Sequence, residues 1–399
     1  MTQEPNIFPY IARLLQGAEV VWKPLGEIAS MYGGLTGKNK TDFEEGNASY
    51  ITYKNIFDNI EVDFDKLEKV KISPSEKQNK VRYGDILFTG SSETAEDAGM
   101  SSAITTTIEE DIYLNSFSFG VRFNEDVELI PEFSKYLFRS HFMRAAISKT
   151  ASGVTRFNIS KERLKKLPIP LPPLSVQQEI VRILDKFTQL EAELEAELDC
   201  RKRQYEYYRN KLLSYEGNEV EWKTLGEVAS LKRGRVISKE YLYENLGEYP
   251  VYSSQTVNNG EIGRIKTFDF EQEAITWTTD GANAGTVFFR EGCFSITNVC
   301  GLITIKNIQN LNYKYLYYWL SLEAKKHVYS GMGNPKLMSN QMEKIQIPLP
   351  PLEEQQRIAT ILDKFDTLVN SISEGLPKEI ALRRKQYEYY REKLLSFSS

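Results

Sequence analysis

The chain has 399 residues, 41% of them hydrophobic and 26% charged, with a formal net charge of −5. It is too long for one ordinary domain, and its composition supports well-packed cores. The acidic balance excludes wrapping of nucleic acid by bulk positive charge, though not a local basic face. No apolar run approaches the ~20 residues that span a bilayer.

Three cysteines, Cys200, Cys293 and Cys300, fall in no metal-binding spacing. Buried thiols in a reducing cytoplasm are the expectation. The first residues lack a basic stretch followed by an apolar one, so no secretion signal is expected.

In chain order, residues 1–21 echo something that recurs later. Leu14-Leu15 followed by Glu19 to Trp22 resembles Leu212-Leu213 followed by Glu219 to Trp222. The segment 22–165 opens VWKPLGEIAS and the segment 217–343 opens EWKTLGEVAS, with Trp22/Trp222, Leu25/Leu225 and Gly26/Gly226 at an offset of 200. Between the openings lie unlike fillings. The first has strand-like runs YITYKNIF, GDILFTG, SSAITTTI and FSFGVRF. The second has YPVYSSQ, EAITWTT, GTVFFRE and CGLITIK. All are rich in β-branched and aromatic residues and bounded by turn formers. Each filling ends in a helix-like stretch, and Lys135-Tyr136-Leu137 corresponds to Lys314-Tyr315-Leu316. The class expected is α+β. Loops follow, with Ser152-Gly153 opposite Ser330-Gly331.

A proline-rich segment comes next in each copy: Pro168, Pro170, Pro172 and Pro173, then Pro348, Pro350 and Pro351. Missing donors predict an extended stretch outside any ladder, aiming the helix after it. Ser175 with Gln178 predicts a capping box at that helix start. The helical regions, 166–216 and 344–399, carry a heptad-like seam. It runs through Val176, Ile180, Ile183, Phe187, Leu190, Leu194, Leu198, Tyr205, Tyr208 and Leu212 in the first copy. Ile358, Ile361, Phe365, Tyr387 and Tyr390 continue it in the second. A rod of this kind, ~57 Å long at 1.5 Å per residue, exposes a seam that a second rod can cover. Two copies in one chain therefore predict an antiparallel coiled coil with pseudo-two-fold symmetry joining two mixed α/β domains. Gly375 and Pro377 predict a break in the second rod.

Catalytic constellations are missing from the sequence. His141 and His327 stand far apart in predicted helices. Gly34 to Asn39 only brushes a phosphate loop, since Tyr32 stands where the motif needs glycine and Asn39 where it needs serine or threonine. Groups suited to DNA do occur, in loops of both globules. In the first they are Lys38, Lys40, Ser91, Ser92, Thr94, Thr155, Arg156 and Asn158. In the second they are Arg233, Arg235, Ser254, Gln255, Asn258, Asn259, Thr279, Asp280, Asn334 and Lys336. Cations of this kind neutralise phosphates, and amides and hydroxyls read base edges. The repeated Gln-Tyr-Glu-Tyr-Tyr-Arg, at 204–209 and 386–391, lies on the seam and suits packing rather than base stacking.

The repeated W-K-x-L-G-E-[IV]-A-S openings, the I-P-[IL]-P-L-P-P-L entries to long helices and the Q-Y-E-Y-Y-R-x-K-L-L ends resemble the specificity subunit of type I restriction–modification systems. The resemblance spans almost the whole chain. It implies two target-recognition domains, each reading half of a split double-stranded DNA site, with the helices setting the spacer. It also implies no catalysis by this chain. Two modification subunits using S-adenosylmethionine would be its partners, together with restriction subunits using ATP and magnesium. An alternative from another class is a coiled-coil scaffold joining two protein-binding domains.

Overall fold

A computed structural model describes residues 8–215, 220–329, 333–371 and 373–397. The Ser330-Gly331 correspondence lies outside them. Two compact units emerge, one of residues 1–194 with 380–399, the other of residues 195–379. The units cut across both helical regions. Helix Leu174–Leu212 begins in the first unit and ends in the second.

In the first unit a four-stranded antiparallel sheet runs Ala29–Gly33, Ser118–Phe123, Ile86–Thr89, Ser101–Ala103. A three-stranded sheet, Glu68–Val70, Ala48–Ile51, Ile112–Leu114, contains a parallel pair. The second unit repeats the frame. Its first sheet runs Ala229–Arg233, Cys300–Ile305, Ala274–Thr278, Val287–Arg290. Its second sheet runs Glu261–Ile265, Leu246–Tyr252, Cys293–Ile296, Phe270–Glu271, again with one parallel pair. An aromatic-over-glycine contact occurs in both first sheets, from the first strand in one and the third strand in the other. Tyr32 lies across Gly120 and Trp277 across Gly301, where any Cβ would collide with the ring.

The shared openings fold identically. Pro168–Leu171 pairs antiparallel with Val21–Pro24, and Gln346–Leu349 with Glu221–Thr224. The expectation of a segment outside any ladder is thus corrected. Prolines two residues apart spoil only one edge of a strand, and the other edge still pairs. Backbone bonds after the strand also repeat: Leu25 and Gly26 N–H donate to Leu167 and Lys165 carbonyls, Leu225 and Gly226 N–H to those of Ile345 and Glu343.

The helix starts differ from the expected capping box. The long helix begins at Leu174 and its counterpart at Leu352, each directly after the proline pair. A buried glutamine organises each start. Gln177 Oε1 accepts the Ile130 N–H at 3.0 Å, and its Nε2 donates to the carbonyls of Glu128 and Pro172 at 2.8 Å each. Gln355 does the same for Asn312 N–H at 2.9 Å, Asn310 at 3.0 Å and Pro350 at 2.8 Å. These bonds equate Ile130 with Asn312, so Tyr136 matches Tyr318 and not Tyr315. Both tyrosine hydroxyls donate to the matching carboxylates, Asp185 and Asp363, at 2.6 Å. The sequence correspondence of Tyr136 with Tyr315 is thus off by three residues, nearly one helical turn, which leaves the same face apolar. Likewise YITYKNIF is not one strand: it turns at Thr52, whose side chain caps helix Tyr53–Asp58.

Coiled-coil packing is present within each unit. In the first, Phe187 stacks on Tyr390 at 5.5 Å and meets Tyr387 at 6.3 Å, while Glu191 pairs with Arg384. Numbers rise on one helix as they fall on the other, so the two run antiparallel. In the second unit Phe365, the counterpart of Phe187, meets Tyr205 at 6.2 Å and Tyr208 at 5.7 Å. The phenylalanine of each repeat thus packs on the tyrosines of the other. Ile180 and Ile358 are buried, and Ile183, Leu190, Leu194, Leu198 and Ile361 are half-buried. The expected seam was too narrow, because Leu184 and Leu362 are fully buried beside it. The second rod is two helices, Leu352–Asn370 and Gly375–Leu395. Gly375 has φ +71°, and a Cβ there would lie 2.4 Å from the Thr367 carbonyl oxygen.

The C-terminal end closes the pattern. Phe397 packs on Phe133 in the first unit as Tyr215 packs on Tyr315 in the second. Helix Pro9–Leu15 adds Ile11 and Leu15 to the first unit's core, and the Tyr10 hydroxyl donates to Glu179.

Candidate nucleic-acid interface

In the first unit a hairpin, Ala151–Ser152 and Phe157–Ile159, lies on strand Ser91–Ser92, with Asn158 opposite Ser91. Its tip carries exposed Val154, Thr155 and Arg156. An open cleft of about 630 Å³ lies beside it, lined by Ser91, Ser92, Thr94, Thr155 and Arg156 together with Tyr53, Phe57, Glu93, Asp97 and Phe117. Five of the eight expected residues therefore converge. Arg156 Nε donates to Ser91 Oγ at 3.0 Å, and its guanidinium lies over the Phe117 ring at 5.7 Å. Thr94 donates to Asp97 at 2.7 Å.

Buried arginines of the closing helices fix the cleft walls. Arg139 Nη2 donates to the carbonyls of Ile56, Phe57 and Asn59 at 2.8, 2.9 and 3.0 Å, holding the helix that carries Tyr53 and Phe57. Arg144 grips the carbonyls of Glu96, Ala98 and Gly99, holding the Thr94–Asp97 side. Burial pulls the Arg139 guanidinium down to about 10, and that of Arg144 down as well. These arginines sit in HFMRAAIS and the residues before it, opposite Ser321 and Lys326 of the second copy, so this way of fixing the cleft belongs to the first unit.

Not every expected residue is presented to a ligand. Lys38 is corrected: its side chain is only 5% exposed and is committed to Glu76 and the Lys71 carbonyl. Ser91 is buried and serves Arg156. Lys40 is exposed, at the start of the turn Lys40–Phe43, and does not line the cleft.

In the second unit Arg233, Thr279, Asp280 and Lys336 form one network. Arg233 donates to Thr279 Oγ1 at 2.9 Å, Thr279 donates to Asp280, and Lys336 stands 3.9 Å from Asp280. Thr279 is fully buried, so it orients Arg233 and cannot itself meet a base. Arg235 pairs with Asp269 at 2.9 Å and lies over the Tyr241 ring. Gln255, Asn258, Asn259 and Asn334 are exposed, and Ser254 is half-buried.

Sequence reasoning missed the aromatic lining and the buried arginines. Phe117 opens a strand-like run and reads as core, yet it is 61% exposed. Arg290 ends a strand and is buried, which holds its guanidinium below the usual range through lost hydration. A lone arginine inside an apolar strand was the available signal. The chemistry assembled in both units is hydroxyls, amides, carboxylates, arginines and exposed rings, which is the equipment for base edges and phosphates.

A family model described as "Type I restriction modification DNA specificity domain" matches residues 18–199 and 218–382. The specificity subunit of the type I restriction enzyme EcoR124I/EcoR124II of Escherichia coli is 32% identical over 421 aligned positions, covering 97% of each chain. A putative type I specificity subunit of Mycoplasma pneumoniae is 43% identical over 235, covering 57% of this chain and 92% of its own. A solved structure of a type I restriction–modification S subunit from M. genitalium aligns over 100% of this chain and 99% of its own, with TM-score 0.57 and 16% identity. A structure from work on assembly of the type I restriction–modification system aligns over 95% and 98%, with TM-score 0.63 and 19% identity. At these identities the structural likeness speaks for the fold. No helix among the described residues is long and apolar enough to cross a membrane.

Proposed function

The chain belongs to the type I restriction–modification DNA-specificity family, and we propose on that premise that each unit's globule reads one half of a split DNA site. It is a specificity subunit. The observation that carries the bipartite reading is the repeat itself. Gln177 and Gln355, Asp185 and Asp363, and Phe187 and Phe365 hold matching frames, while the sequences between the shared openings and these frames are unlike. Two identical readers would be expected if both halves of the target were the same; unlike fillings on one frame suit two different half-sites.

The same repetition suits two copies of one partner. The helical regions end in the same Gln-Tyr-Glu-Tyr-Tyr-Arg run, which leaves Tyr207 and Tyr389 exposed with Lys211 and Lys393 over them. Two modification subunits docking on the repeated parts are that partner in this reading. They would bring S-adenosylmethionine and methylate adenine as separate chains. Restriction subunits would bring ATP and magnesium chemistry, and the complex would act in the cytoplasm. The long helix sets the spacer. With an acidic net charge the chain alone gains little from counterion release, so the partners supply much of the phosphate contact.

Salt-dependent binding to a duplex carrying the target, measured with the modification partner present, tests this against a coiled-coil scaffold. The specificity reading expects tight, sequence-dependent binding that weakens steeply with salt. Absence of such binding would favour the scaffold.

A further inference from the structure

In the second unit the turn Ser253–Gly260 has a conformation rare among the described residues. Only three non-glycine residues among those described have positive φ: Gln16, Asn258 and Asn259, the last two adjacent at 51° and 53°. Gly260 follows at 80°. A left-handed conformation costs most non-glycine residues on the order of a kilocalorie and asparagine less, so two in succession mark a defined turn held by its surroundings.

Here the enforcement is visible. The Ser253 N–H donates to the Gly260 carbonyl at 2.9 Å and closes the turn. Arg290 Nη2 donates to the Asn259 carbonyl at 2.8 Å. The Arg290 guanidinium is clamped between the rings of Tyr252, 3.5 Å away, and Phe288, 4.6 Å away, with Nε on Thr276 Oγ1 at 3.1 Å. Arg290 is 3% exposed, and its Nη1 is buried without a hydrogen-bond partner. A buried cation with an orphan donor destabilises a fold unless it does something else. What it does here is hold one carbonyl of an exposed turn. Meanwhile Asn258 and Asn259 are exposed, and neither side-chain amide has a hydrogen-bond partner among the described residues. Two free amides on a rigid, solvent-facing turn are suited to pair bidentately with the N6/N7 edge of adenine in a major groove. The turn also connects to a cation: Thr297 N–H donates to the Tyr252 carbonyl, and Thr297 bridges Arg235.

We propose that the turn Ser253–Gly260 is the base-reading element of the second half-site, with Asn258 and Asn259 as its specificity-determining residues and Arg290 as their positioning residue. This rests on the reading that the second globule recognises one half of the site, and adds which residues do it and which base edge they meet.

The test uses the full chain assembled with its modification subunits, with methylated adenines mapped across a genome that carries no other adenine methylation. Glycine accepts the left-handed conformation without strain, so Asn258→Gly and Asn259→Gly remove the amides and leave the turn. At least one of them is expected to relax discrimination at a single position of one half-site by roughly 10- to 100-fold, with the other half-site and the spacer unchanged. Arg290→Met is expected to relax that same position. Combined with the responsible glycine variant, it should add little. A merely structural role for Arg290 would instead lower methylation at all sites together and leave the motif intact, which overturns the positioning claim. Retention of the complete wild-type motif by both glycine variants and by their double variant overturns the proposal while leaving the bipartite reading standing. A wild-type complex whose motif is not split into two halves overturns the reading and the proposal with it.

Discussion

Replacing Gln177 with methionine should destabilise the first unit and spare the second. The side chain is fully buried and makes three hydrogen bonds, to the Ile130 N–H and to the carbonyls of Glu128 and Pro172. Each such bond contributes about 1 kcal/mol net, and leaving the Ile130 N–H buried without a partner costs about 1–3 kcal/mol more. Methionine has similar volume, so little cavity forms, and its greater apolarity returns about 1 kcal/mol. The net loss is about 3–5 kcal/mol. Gln355 has the same three partners in the second unit, so Gln355→Met should cost a similar amount there. Because a chain of two units need not unfold in one step, the assay must resolve them. Hydrogen exchange read by peptide mass spectrometry in rising urea does so. A loss under ~1 kcal/mol, or equal loses in both units from one substitution, would refute the claim that these glutamines fasten the repeated frame.

Other consequences follow from the same geometry. Gly375→Ala forces a side chain into a left-handed residue and against the Thr367 carbonyl. Thermal unfolding should show a loss of about 1–3 kcal/mol, and an unchanged midpoint would contradict it. Cys300 is buried, and burial pushes its thiol up to about 12, whereas Cys200 is exposed. The neutral thiol therefore persists in the folded state far above its ordinary titration range. At pH 8 to 9 iodoacetamide should modify Cys200 and spare Cys300 until urea is added, and rapid native labelling of Cys300 would count against its placement. Four residues inserted after Glu195 lengthen the long helix by ~6 Å. The methylated motif should then show a spacer longer by about two base pairs with both half-sites retained. A changed half-site with the old spacer would contradict the ruler role.

The frame was legible because the chain states it twice. Trp22 and Trp222, the paired prolines and the QYEYYR runs marked two copies before any geometry was known. The seam was legible where aromatics recur, since Phe187, Tyr387 and Tyr390 do pack together. What failed had local physical causes. A shift of three residues keeps a helix face, so periodicity could not distinguish Tyr315 from Tyr318 as the partner of Tyr136. Proline removes a donor from one strand edge only, so Pro168 and Pro170 did not forbid pairing with Val21–Pro24. Glutamine reads as surface, and nothing near Gln177 announces that its partners come from residues 128 and 130. The interface was half legible. Loop residues such as Thr94, Thr155 and Arg156 do meet in one cleft. Lys38 could not be told from a free lysine, because Glu76 approaches it from far along the chain.

The central claim is that each globule governs one half of the target independently. Exchanging segment 22–165 for that of another specificity subunit, and mapping methylated adenines genome-wide, measures this directly. One half-site should change to that of the donor, while the other half-site and the spacer stay as they were. An unchanged motif, or a change in both halves, would contradict the account.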